Sequence, residues 1–162
     1  MKPSDLRQLV VDLHREKAAL RRRHEVVARL ARQYDLNNTY QYILAREDEH
    51  LSWLLDAISA LGGTPAAPGP DQTVSVGKGD EGLRTLASQD AALLDAFVNA
   101  WRDRVASITN ARHRLMVDLM LGESLEHARL FRQAAGGRLD LLGRRTGGER
   151  TGGSVLPSRW VE

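Results

Sequence analysis

GGTPAAPGPDQTVSVGKG, residues 62–79, holds three of the five prolines and five of the fourteen glycines, and shows no helical period. Proline removes a backbone donor and glycine loosens the chain, so the stretch reads as a connection between elements. Eighteen residues at about 3.3 Å each reach roughly 60 Å, well beyond a helix of about 24 residues rising about 1.5 Å per residue. A connection of that reach can leave one end of a helical bundle and re-enter at the other, a topology distinct from a simple up-down-up-down bundle.

On the N-terminal side of the connection lie two periodic segments. From Ser4 to Tyr34 the residues Leu6, Leu9, Val10, Leu13, Leu20, Val27, Leu30 and Ala31 recur at steps of three and four, predicting one long amphipathic helix capped by Ser4 and Asp5. A polar break at 35–39 separates it from a second helix with the stripe Tyr40, Ile43, Leu44, Leu51, Leu54, Ile58 and Leu61, ending at Gly62-Gly63. Beyond the connection, a third helix over 80–109 carries Leu83, Leu86, Leu93, Leu94, Phe97, Trp101, Val105 and Ile108. A fourth begins after Asn110 and carries Met116, Val117, Met120, Leu130 and Phe131 to Gly136-Gly137. No segment alternates like a strand. The pattern predicts an all-α domain over 1–142, two antiparallel hairpins joined by the 62–79 crossover, followed by a flexible Gly/Arg-rich tail over 143–162.

Composition narrows the chemistry. The 162 residues are 42% hydrophobic and 27% charged, enough for one sizeable core. There is no cysteine, so disulfides, thiolate metal sites and thiol nucleophiles are excluded, and any metal must be held by His, Asp and Glu. No apolar run approaches the ~18 residues of a bilayer span, and the polar start does not resemble a signal peptide, which predicts no membrane association and a cytoplasmic location. The clusters Arg21-Arg22-Arg23 and Arg144-Arg145 could meet phosphate, but interspersed acids and scarce aromatics favour a solvated face over nucleic-acid binding.

Ionisable residues interrupt the apolar stripes. The seven-residue spacing turns Glu16 and His24 inward on the first helix, Glu47 and His50 on the second, Asp90 on the third, and Glu123 with His127 on the fourth. Buried carboxylates on four helices require a shared counter-charge. Two cations would supply it, and carboxylates with imidazoles suit iron or manganese. Level arithmetic disfavours Glu16, roughly 10 Å out of step with Glu47 along the axes, and leaves the first-helix donor open among Glu16, His24 and Glu25. His14, His113, Glu49 and Glu126 read as surface residues.

The segments AREDEHLSWLLDAISALGGTP and LGESLEHARLF give the chain a resemblance, over roughly residues 4–135, to the ferritin-like superfamily, in particular the rubrerythrin and bacterioferritin branch of di-iron carboxylate bundles. The resemblance implies a ferritin-like four-helix bundle with metal ligands Glu47, His50, Asp90, Glu123 and His127; together with Glu16 from the inward series, these are expected to hold two Fe ions or Mn. Two departures stand against it: His127 is displaced by one from the family's Glu-x-x-His, and an aspartate replaces the third-helix glutamate. On this reading the chain handles iron or small oxidants as a ferroxidase- or peroxidase-like oxidoreductase and stores iron if it assembles as a homo-oligomer. The competing reading is a ferritin-like bundle without metals, serving as a binding or structural module through its arginine-rich first helix or its tail.

Overall fold

The computed structural model describes residues 1–67, 69, 73–138 and 141–142. Four helices form: α1 (Pro3–Leu30), α2 (Tyr34–Ala60), α3 (Gly79–Ala106) and α4 (Ala111–Ala135). Among the described residues there is no strand, and no helix is long and apolar enough to cross a membrane. The tail expected over 143–162 lies outside the described residues.

Cross-helix contacts fix the topology. Lys17 meets Glu47 whereas Asn37 reaches back to the Ala28 carbonyl, so α1 and α2 run antiparallel. Glu16 meets Trp101 and Arg23 meets Asp90, making α1 and α3 antiparallel too. Lys17 touches Ser124 while His24 lies against Phe131, so α1 and α4 run parallel across the diagonal. Parallel α1 and α4 need the link between α2 and α3 to traverse the bundle, which is the work of the crossover. Packing is closer within each hairpin than between hairpins.

Two apolar clusters, one toward each end, make the core. Leu9, Val10, Leu13, Leu54, Trp101, Val105 and Val117 belong to one; Val27, Tyr40, Ile43, Leu86, Leu94 and Phe131 belong to the other. Between them the interior turns polar: Lys17, His24, Glu47, His50, Asp90, Ser124 and His127 are all at most 1% exposed.

Several local expectations give way. The N-cap of α1 is Lys2 with no side-chain cap bond, because Pro3 starts the helix with its φ already set, while Ser4 and Asp5 bond each other. The break expected at 35–39 is helical, and the turn is the three residues 31–33. The polar residues there serve the helix: Asp35 sits in its first turn, Asn37 donates to the Ala28 carbonyl at 2.9 Å, and Thr39 bonds the Asp35 carbonyl. Leu93, expected inside, is 40% exposed, facing a groove between α1 and α3. Helix α2 ends as expected: Gly62, at φ +65°, donates to Ser59 and Gly63 donates to Ile58, closing a Schellman motif.

Candidate functional site

At the centre of the bundle is an ammonium ion. Lys17 arrives on α1 at seven residues from Val10 and from His24, on the line that buries both, so its stem is drawn inside with them. Its Nζ donates to Glu47 Oε1 at 3.0 Å and to Ser124 Oγ at 3.2 Å, and lies 5.6 Å from the Phe97 ring centroid. Ser124 passes its own proton to the Met120 carbonyl at 2.8 Å. The other Glu47 oxygen accepts from His24 Nδ1 at 2.9 Å. Burial opposes the ionisation of Glu47, but the electrostatic pull of His24 and Lys17 and their hydrogen bonds outweigh it and hold the carboxyl down at about 2.

The other acids are likewise engaged. Asp90 accepts from Arg23 Nε at 2.5 Å and from the Tyr40 hydroxyl at 2.6 Å. Glu123, a quarter exposed, takes a two-pronged bond from Arg46 at 3.0 and 2.8 Å and a third from His50 Nε2 at 3.0 Å. Its pKa is lowered, by the Arg46 hydrogen bond first. Glu16 is exposed and accepts from the Trp101 indole at 2.6 Å.

The imidazoles divide their two nitrogens differently. An ionised carboxylate only accepts, so the His50 proton is on Nε2 and its partnerless Nδ1 is a bare lone pair. His127 Nδ1 and His24 Nε2 also lack a partner. His127 stacks on His50 at 6.5 Å between centroids and meets Tyr42 edge-on. Burial first, and Lys17's charge second, push both His50 and His127 down to about 4, leaving them neutral at physiological pH.

Of the six residues expected to share a metal pair, Glu47, His50, Asp90 and His127 are buried, Glu123 lies at the edge, and Glu16 lies outside in the α1–α3 groove. On α1 the residues beside Glu47 are His24 and Lys17. Among the described residues no three of His, Asp and Glu draw together as a group that could hold a metal ion. The donor chemistry agrees: a cation entering beside Glu47 would meet the Lys17 ammonium, and one entering beside Asp90 would meet the Arg23 guanidinium. The arrangement does not fit a two-ion centre. Lys17, Arg46, Ser124 and Tyr40 escape a search for acids and histidines, although Lys17 stands in the seven-residue series Val10, Lys17, His24, Ala31.

The arginine run on α1 is structural in two of its three members. Arg21 bridges to Asp48 at 2.8 Å and to Glu25, while Arg23, 15% exposed, also bonds Gln89.

No family model and no curated protein matches the chain. Among solved structures it is similar to a conserved hypothetical protein, Rv2844, from Mycobacterium tuberculosis, at a TM-score of 0.69 and 17% identity, over 82% of this chain and 98% of that one. That likeness concerns the fold.

Proposed function

We propose that this chain is a metal-free bundle of the ferritin-like kind, acting as a protein-binding or structural module, with its own bases where the resemblance to di-iron proteins puts cations. The observation that carries this reading is the Lys17 ammonium, 1% exposed and 3.0 Å from Glu47. A buried carboxylate needs a counter-charge, and here it is covalently part of the chain. Asp90 and Glu123 repeat the arrangement with Arg23 and Arg46. With the interior acids compensated, the fold needs no metal to be stable.

The test is anaerobic loading of the purified chain with Fe(II) or Mn(II), followed by desalting and elemental analysis. This reading expects far less than one ion per chain. Two ions per chain, lost in a Glu47→Ala, His50→Ala variant, would overturn it and restore the di-iron reading.

A further inference from the structure

The outer face of α4 carries two leucines that the fold does not use: Leu115 is 65% exposed and Leu119 52%. One turn further on the same stripe is Gly122, exposed in mid-helix, where an added Cβ would meet nothing within 4 Å. Glycine at an exposed helix interior costs about 1 kcal/mol against alanine, and nothing among the described residues accounts for it. The stripe is closed by Arg112 at one end, which makes no ion pair among the described residues, and by Glu126 at the other, 51% exposed and bonded to Arg129.

These five positions are spaced three, four, three and four apart, so reversal about Leu119 pairs position 112 with 126 and 119 with itself, and sets 115 opposite 123, one residue from Gly122. Turn a second α4 antiparallel about Leu119 and the two ends and the centre of the stripe meet their match. Arg112 faces the partner's Glu126, Leu119 meets the partner's Leu119, and Leu115 comes down beside the gap at the partner's Gly122. One register satisfies the charge pairs and the apolar centre together and brings Leu115 next to the gap, as a two-fold interface requires. We propose that this face of α4 pairs two copies of the chain, α4 against α4, with the two-fold axis passing beside Leu119. The inference is independent of how the interior is neutralised.

Sedimentation of the full chain across a concentration series is the test. The expected result is a dimer that Leu115→Glu, Leu119→Glu converts to monomer with the helical circular dichroism unchanged, since both side chains are exposed. Arg112→Glu should raise the dissociation constant about tenfold or more by setting like charges face to face, and adding Glu126→Arg should restore it. A chain that stays monomeric at every concentration would overturn the proposal. So would a dimer indifferent to the leucine substitutions, or charge reversals that do not rescue each other.

Discussion

Replacing Lys17 with methionine keeps most of its length and removes its ammonium, leaving the Glu47 carboxylate, at 0% exposure, with His24 as its one remaining partner among the described residues. Losing one member of a buried pair costs about 3–5 kcal/mol, whereas exchanging both members for apolar groups is often neutral. Lys17→Met should therefore lower the urea midpoint sharply, and Lys17→Met with Glu47→Leu should recover most of it. Acid unfolding follows from the same interior. Glu47, depressed from 4.5 to about 2, contributes stability that is complete above 4.5 and lost as the pH falls through about 2. His50 and His127 are depressed from 6.5 to about 4, so between those values the unfolded chain binds more protons and stability falls on acidification. The slope should appear from about pH 6.5 downward in denaturation curves taken at successive pH values, and His127→Leu should shrink it, each displaced unit being worth about 1.4 kcal/mol. Glu47, His50, Asp90 and His127 were legible because acids and imidazoles stand out on an apolar stripe. Lys17 was not, because a long basic side chain ordinarily snorkels to the surface and a single inward position does not reveal that it stays inside. Glu16 misled for the converse reason: it is one residue from Lys17, about 100° around the helix, enough to put it in the outer groove with Trp101.

Helix identities followed from periodicity, and boundaries from caps. Asn110 stands just before α4, and its side chain accepts from the His113 amide at 3.1 Å. Asn110→Ala should cost about 1 kcal/mol, measured as a lower melting free energy. Gly62, at φ +65° after α2, should lose about 1–2 kcal/mol on replacement by alanine, because a Cβ is strained there. The 31–33 turn was harder to see because Asp35, Asn37 and Thr39 look like a loop in sequence. The Asn37 and Thr39 side chains bond backbone, one across the turn and one within α2, and Thr39 is wholly buried. Leu93 keeps the helical period but falls where α1 and α3 stand apart, leaving a groove of about 390 Å³. Periodicity gives a face, and the distance to the next helix decides whether that face is covered.

At the level of the assembled bundle, the crossover was the most legible feature, since its length and prolines alone separate this topology from a simple meander of helices. What sequence could not convey is how the hairpins are fastened. Contacts between them include polar bridges, among them Lys17 to Ser124, Arg23 to Asp90, Tyr40 to Asp90 and Arg46 to Glu123. Tyr40→Phe removes one donor from Asp90 and should cost about 1–3 kcal/mol, read as a loss of unfolding free energy. A bundle fastened by its own lysine and arginines differs from one fastened by metal in a single observable: whether added ions raise its stability by mass action. Thermal unfolding of the chelator-stripped chain, repeated anaerobically with rising Fe(II) or Mn(II), is the decisive measurement. A melting temperature that does not move with metal concentration is the predicted result, and one that climbs steadily with it would contradict the assignment of Lys17 as the interior's cation.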